Sequence, residues 1–142
     1  MPARVVLARR ALVVAAWLLA AGVIVEIFLA GRGVFVGPDE WARHRGFVHA
    51  FEWLSPLAVL LAYLGRGSRA TKWLAWLTVV LLFLQYATAG TTSSLGHLGL
   101  AALHPVSAAL LLWTAIELAR RVRRDQRTED ATPTVMTRPA AG

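Results

Sequence analysis

The stretch HLGLAALHP, residues 97–105, places two histidines seven residues apart in a segment that is otherwise strongly apolar. Residues seven apart on an α-helix return to the same face about 10.5 Å further along, so His97 and His104 share one stripe. A second histidine pair, His44 and His49, opens an earlier apolar segment. Imidazole rings held in an apolar setting are typical ligands of haem iron and of metal ions.

The first chemistry that these residues allow is binding of a b-type haem, with two neutral imidazoles from different helices as axial ligands. Measured from the outer ends of the predicted helices, His49 and His104 lie at similar depths. Depth therefore favours His49 as the partner of His104 across a bundle interior. His44 and His97 lie closer to the surface and are the further candidates for binding the cofactor.

The second chemistry is a metal site built from His49, His104, Glu52 and Glu26. A mixed set of imidazoles and carboxylates suits iron, zinc or manganese. Ionisable groups within an apolar segment are costly and usually face a protein interior, which is why these four are candidates. A proton or quinone site that uses Glu52, His49 and Gln85 is a third alternative, which their spacing neither supports nor excludes.

Motifs for other chemistries are missing from the sequence. It contains no nucleophile elbow, no phosphate-binding loop and no HExxH motif, so we predict no catalytic residue. It also contains no cysteine, which excludes disulfides, thiolate metal sites and CxxC redox chemistry within the chain.

Four apolar runs must position these side chains, in a chain of 142 residues that is 57% hydrophobic and 16% charged. The runs cover residues 11–31, 45–64, 73–90 and 98–118. Each is close to the ~20 residues that a helix needs to cross a hydrocarbon core, where only helices and closed barrels satisfy the backbone. We therefore predict an all-α bundle of four transmembrane helices over residues 1–119, followed by a basic, disordered tail over residues 120–142. Two prolines, Pro56 and Pro105, are expected to kink the second and fourth helices beside the histidines.

Positive charges are distributed unevenly between the two predicted faces of the membrane. Twelve of the 15 Lys and Arg residues lie before the first run, in the loop at residues 65–72 or after residue 118. The positive-inside rule then predicts a multi-pass protein of the cytoplasmic membrane with both termini in the cytoplasm. Topology accounts for the net charge of +7, so we expect the lipid bilayer and another membrane protein or redox partner, and no nucleic acid, as partners.

Several segments carry a family resemblance that extends over roughly residues 10–124. They are FLAGRGVF after the first helix, EWARHRGFVHAF, LLFLQYATAG and AALHPVSAALLLWTAIELARR. Together they resemble a family of small bacterial four-helix integral membrane proteins of unknown function. The resemblance implies the architecture and no particular activity.

A looser likeness connects the chain to one four-helix half of haem A synthase. That half has a His-Arg step at the outer start of its second helix and a histidine in its fourth, and the two histidines coordinate haem. The His44-Arg45 step, preceded by Glu40, and the pair Gln85 and His104 look like that pattern. The chain has one bundle and lacks the cysteine pair of many such synthases, so the likeness implies a single haem-binding bundle. It favours His44 as the ligand, where depth favours His49.

These observations lead to the prediction of a membrane four-helix bundle that binds b-type haem for electron transfer or haem handling. The alternative is a non-enzymatic accessory or assembly subunit of a membrane complex, in which the histidines are structural. A small proton-coupled carrier that uses Glu26 and Glu52 is a further alternative.

Overall fold

The structure is a computed structural model that describes residues 1–94 and 98–131, with side chains for all of these except 90–94, 98–99 and 129–131. Its regular elements are all helical: α1 (Ala3–Phe35), a 3₁₀ turn (Pro38–Glu40), α2 (Trp41–Phe51), α3 (Leu54–Leu64), α4 (Arg69–Ser94), α5 (Leu98–Ala101) and α6 (Leu103–Ala131). The described part of the chain contains no strand. The prediction of an all-α fold is therefore confirmed.

The helices pack as a bundle of four helical segments. The first segment, α1, contacts α6, α3 and α2, and α4 packs between α6 and α3. Because α2 and α3 follow one another with a short interruption, they act as one segment, and α5 and α6 form another. The histidines of the sequence are thereby distributed over segments that share one interior.

Alanines occupy much of the bundle core. Two clusters of buried side chains fill it, one around Leu12 and Leu118 and the other around Leu19 and Leu111. Six alanines in these clusters are completely buried: Ala16, Ala58, Ala62, Ala75, Ala115 and Ala119. Small side chains allow helix backbones to approach closely, as they do at helix interfaces in membranes.

The outward faces of the bundle are strongly apolar. Large side chains such as Leu18, Phe28, Leu60, Phe83 and Trp113 are all about half exposed or more. Within the described residues, three helical segments are long and apolar enough to cross a membrane: Ala3–Phe35, Pro38–Leu64 and Arg69–Ala89. Apolar surface on this scale is rare on soluble monomers, so these faces indicate a membrane-embedded protein.

The fourth predicted span, residues 98–118, differs from the expectation of one continuous helix. A turn at Ala102 separates α5 from α6, which begins at Leu103. The long helix therefore lacks the apolar residues 98–101 and runs instead into the basic segment after Leu118. This segment is not among the three that meet the length and composition of a span within the described residues.

Both expected proline effects are present. The second segment is interrupted at Glu52 and Trp53, shortly before Pro56, which has no N–H to offer the carbonyl of Glu52. The Ser55 N–H donates to that carbonyl instead, at 3.2 Å, in the tighter spacing of a 3₁₀ turn. The turn at Ala102 stands in the same relation to Pro105.

The first two helical segments extend further toward each other than the apolar runs suggested. The first ends at Phe35 and α2 begins at Trp41, four residues before the predicted start. The turn is held by Arg32 Nε, which lies 2.9 Å from Glu40 Oε2. Gly33 makes the close approach possible, because a Cβ there would lie 2.5 Å from the Trp41 ring.

Helix α6 continues to Ala131, where the sequence predicted disorder from residue 120. Arg121 Nε donates to Asp125 Oδ1 at 3.1 Å, one turn along the same helix. The other oxygen of Asp125 accepts from Thr71 Oγ1 at 2.9 Å, which ties the extension to α4. Residues 132–142 of the predicted tail lie outside the described residues.

Candidate functional site

The rings of His44 and His104 lie side by side in the bundle interior. Their centres are 6.3 Å apart and their planes are inclined by 73°. The depth argument pairs His104 with His49, whereas the ring found beside His104 is that of His44. Because α2 begins at Trp41, His44 lies within the helix and reaches the interior, where the sequence had placed it near the surface.

The ring of His44 is oriented by Glu26 of α1. His44 Nδ1 lies 3.3 Å from the backbone carbonyl oxygen of Glu26 and also contacts the Glu26 carboxylate. A carbonyl oxygen can only accept, so His44 Nδ1 is the donor in this contact. Trp41 packs edge-on against the same ring, with centres 5.6 Å apart.

The ring of His104 is oriented by α4 in a similar way. Its Nδ1 lies 3.1 Å from the backbone carbonyl oxygen of Gln85 and 3.2 Å from Thr88 Oγ1. The Thr88 hydroxyl donates to the carbonyl of Leu84 at 2.7 Å, so it can accept the proton of His104 Nδ1. His104 Nδ1 is thus the donor in its contact with the Gln85 carbonyl.

The Gln85 side chain fixes the backbone that carries His104. Its Nε2 donates to the carbonyl oxygen of His104 at 3.2 Å and to Ser107 Oγ at 2.9 Å. The Ser107 hydroxyl in turn donates to the carbonyl of His104 at 3.0 Å. These bonds hold α4 and α6 in register at the level of the site.

Both rings border a cavity of about 580 Å³ between the helices. This volume is within the range of about 300–1,000 Å³ that is usual for sites of small ligands and cofactors. Most of the walls are apolar, and the polar or charged residues that line the cavity are Glu26, His44, Arg45, His49, Gln85, Tyr86 and His104.

His49 and Glu52 form a separate pair at the edge of this cavity. His49 Nδ1 lies 3.2 Å from Glu52 Oε1, and the Tyr86 hydroxyl donates to the other carboxylate oxygen. The side chain of His49 is 64% exposed, against 20% for that of His44. His49 therefore faces outward, although it borders the same opening.

The four residues predicted as metal ligands do not come together. Glu26 lies against His44, next to His104, while His49 and Glu52 pair with each other. Within residues 1–94 and 98–131, no three His, Cys, Asp or Glu side chains are grouped so that they could hold a metal ion. His97, the remaining candidate, lies outside the described residues.

Three residues of the site were not predicted from the sequence. Trp41 could have been found, since it precedes His44 by three residues and shares its helix face. Thr88 and Ser107 gave no such signal, because hydroxyl residues are common inside membrane helices and their role here depends on how α4 and α6 pack.

The fold and the cavity together define a class: a helical bundle with segments able to span a membrane and a paired-histidine cavity between them. Residues 26–92 match the sequence profile of DUF6220, a family of unknown function. The match agrees with the resemblance to an uncharacterised family and includes Glu26, His44 and Gln85, while His104 lies beyond it. No curated protein and no solved structure matches the chain, so the likeness to haem A synthase has no counterpart among them.

Proposed function

We propose that this protein is an integral membrane bundle that binds a b-type haem through His44 and His104 and acts in electron transfer or haem handling. The observation that carries the proposal is the spacing and orientation of these two rings. The haem ligand on α2 is thus His44, the residue favoured by sequence pattern, and not His49.

The closeness of the two rings suits a site in which both histidines would hold one haem. The ring centres of His44 and His104 lie 6.3 Å apart. Helices α2 and α6 would thus supply one imidazole each.

The partners of the two Nδ1 atoms support the same assignment. Histidines that bind metals almost always donate the other ring N–H to a carboxylate, a backbone carbonyl or water, which fixes both tautomer and orientation. The Glu26 and Gln85 carbonyls serve this purpose for His44 and His104.

The remaining walls suit a large, mostly apolar ligand with an anionic edge. Val23, Ile27, Phe51 and Leu111 line the apolar part of the cavity, and Arg45 borders it as a cation that can pair with a carboxylate. A bound haem would supply one-electron redox chemistry, and burial among apolar side chains would tune its potential. The chain contributes the two ligands, their orientation and the exclusion of water.

The membrane setting is part of the proposal. The four segments would cross the cytoplasmic membrane with both termini and the basic turn at residues 65–68 on the inner side, in keeping with the positive-inside rule. The cavity would then lie toward the outer face, within reach of an electron donor or acceptor in the membrane or outside it.

The test is a reduced-minus-oxidised visible spectrum of the purified full chain, before and after addition of haem. We expect the bands of a six-coordinate low-spin haem in the wild type and their loss in His44→Ala and His104→Ala. His49→Ala is the matched control, since His49 borders the same cavity but bonds to Glu52. It should retain the spectrum.

Two results would overturn the proposal. A folded wild type that shows no haem bands after supplementation would leave the accessory-subunit alternative, in which the histidines are structural. Loss of the bands in His49→Ala with retention in His44→Ala would reverse the ligand assignment and contradict the role given to the 6.3 Å pair.

A further inference from the structure

Three polar side chains lie together on an outward-facing surface of the bundle: His49 and Glu52 of the second segment, and Tyr86 of α4. The Tyr86 hydroxyl donates to one oxygen of the Glu52 carboxylate, and His49 Nδ1 lies 3.2 Å from the other oxygen. Tyr86 is 44% exposed, and the side chain of His49 is more exposed still. These three residues form the polar trio.

The polar trio is far from both ends of its membrane-spanning segment. Glu52 is near the centre of Pro38–Leu64. At 1.5 Å per helical residue it lies about 18 Å or more from either end, whichever end faces the cytoplasm. The neighbouring side chains are apolar and strongly exposed, namely Trp53 and, about one turn before Tyr86 on α4, Phe83. The trio therefore lies on a surface that lipid tails contact.

A polar cluster in this position is costly. Ionisable side chains within the hydrocarbon region cost a few kcal/mol each, and they usually mark the site or pathway of a ligand. Hydrogen bonds within the trio offset part of this cost. An ionised carboxylate has about four acceptor positions, of which the trio itself uses two. A ligand that is soluble in lipid and carries polar atoms can bond to the others.

The trio is also connected to the cavity of about 580 Å³ between the helices, the histidine cavity, because His49 and Tyr86 line it. Since both side chains are exposed on the outside as well, they mark its opening toward the lipid. Val48, next to His49, and Leu82, one turn before Tyr86, add apolar walls to the cavity. A flat ring can therefore enter from the membrane, with its polar atoms at the trio and its faces against apolar side chains.

We propose that the polar trio binds the headgroup of a membrane quinone or quinol. The quinone form carries carbonyl oxygens that only accept hydrogen bonds, and the quinol form carries hydroxyls that also donate. Carboxyl, imidazole and phenol groups can donate or accept according to protonation and tautomer, so the trio can bond to both forms. Binding uses neither His44 nor His104. A role of the quinone as redox partner of the bundle rests on the proposed haem.

The experiment is photo-crosslinking of the purified full chain in detergent to an azido derivative of a decyl benzoquinone, with and without added haem. Mass spectrometry maps the labelled peptides, and unmodified decyl benzoquinone competes for the site. The variants are Glu52→Gln and Tyr86→Phe, each of which preserves the size of the side chain and removes one polar group of the trio.

Two matched controls remove the same groups elsewhere. Glu117→Gln removes a carboxyl group that pairs with Arg124 on α6. Tyr63→Phe removes an exposed tyrosine hydroxyl, which accepts from Trp76 Nε1 at 3.4 Å. Neither control residue lines the histidine cavity.

We expect labelling of the peptides that contain the trio, suppressed by the competitor, in the wild type and in both controls. Each trio variant should need about fivefold more competitor, as for the loss of one hydrogen bond. Equal competition in all five proteins, or labelling confined to other peptides, would overturn the proposal. A wild-type dimer that either trio variant converts to a monomer would also overturn it, because a second copy would then cover the trio.

The two proposals can fail separately in this experiment. Competed labelling of a chain that shows no haem bands would support the quinone site and contradict the proposed haem. Haem bands without competed labelling would leave the haem and contradict the quinone site.

Discussion

At the scale of the residue, the site is defined by the groups that contact the Nδ1 atom of each histidine. Glu26 fixes the ring of His44 through its backbone carbonyl and through contact with its carboxylate, whereas Gln85 fixes His104 through a backbone carbonyl alone. The two rings are thus held by different groups, a carboxyl group with a carbonyl on one side and a carbonyl on the other. A carboxylate raises the basicity of a ligating imidazole more than a neutral carbonyl does.

Glu26→Gln tests this difference, because it removes the carboxyl group and preserves the shape and the backbone carbonyl. We expect haem affinity to fall on the order of tenfold, the lower end of the effect of removing a partner of a ligating histidine. The measurement is a titration of the purified variant with haem, read from the absorbance of the bound form.

Glu117→Gln is the matched control for this titration. It removes a carboxylate that pairs with Arg124 on α6, away from the histidine cavity. Equal haem affinity in the wild type and in both variants would show that the contact between Glu26 and His44 does not tune the site.

At the scale of the element, close packing of α1 against α2 holds the histidine cavity in shape. Gly22 of α1 faces the ring of Phe51 at the end of α2, and a Cβ at that position would lie 2.7 Å from two ring atoms. Phe51 lines the cavity. Because Gly22 has no Cβ, the Phe51 ring can pack directly against α1, and this contact positions the end of α2.

Gly22→Ala should displace Phe51 and destabilise the bundle by about 1–3 kcal/mol, the usual cost of overpacking a filled core. Gly31→Ala is the matched control on the same helix, because a Cβ there meets nothing within 4 Å. It should be neutral or stabilise α1 by up to about 1 kcal/mol through helix propensity. Thermal unfolding in detergent measures both, and similar unfolding temperatures for the two variants would contradict this account.

The elements themselves were largely predictable from the sequence, and the pairing of side chains was not. The apolar runs predicted the helical segments, and Pro56 and Pro105 predicted their interruptions, because both are local properties of the chain. The choice between His44 and His49 depended on where α2 begins. That start is fixed by the packing of Trp41 on Gly33 and by the contact of Arg32 with Glu40, both of which are tertiary.

The helical conformation of residues 120–131, at the end of α6, was not predicted for a different reason. A strongly charged composition is typical of disordered segments. Arginine, glutamate and glutamine are nevertheless good helix formers, and the pair of Arg121 and Asp125 has the spacing of one helical turn. The tie from Asp125 to Thr71 needs the packed bundle, so it could not be foreseen from local pattern.

At the scale of the whole molecule, a cavity of about 390 Å³ that Arg9, Arg66 and Arg121 line lies at the end of the bundle opposite to the histidine cavity. One is lined by imidazoles and mostly apolar walls, and the other by arginines. If the chain crosses the membrane as the positive-inside rule predicts, the arginine cavity faces the cytoplasmic leaflet and the histidine cavity the outer half.

Labelling of single introduced cysteines tests this orientation. The chain has no cysteine of its own that would also react with the label. We expect Asp39→Cys, in the turn after α1, to react with a membrane-impermeant maleimide in intact cells. Ser68→Cys, in the turn before α4, should react only after permeabilisation. The opposite pattern would reverse the orientation, and labelling of both sites in intact cells would contradict a spanning arrangement of the segment between them.

The hydrogen bonds of the buried threonines have a consequence for how the helices insert into the membrane. Thr78, Thr88 and Thr114 each donate to a carbonyl of their own helix, at 2.7 Å in every case. A helix that satisfies its own hydroxyls can enter hydrocarbon alone, before its neighbours are synthesised. The polar bonds between helices are instead concentrated near the two ends, at Gln85 with Ser107 and at Thr71 with Asp125. The helices can thus insert into the membrane one after another. The hydrogen bonds between them, near the two ends of the bundle, would then form last.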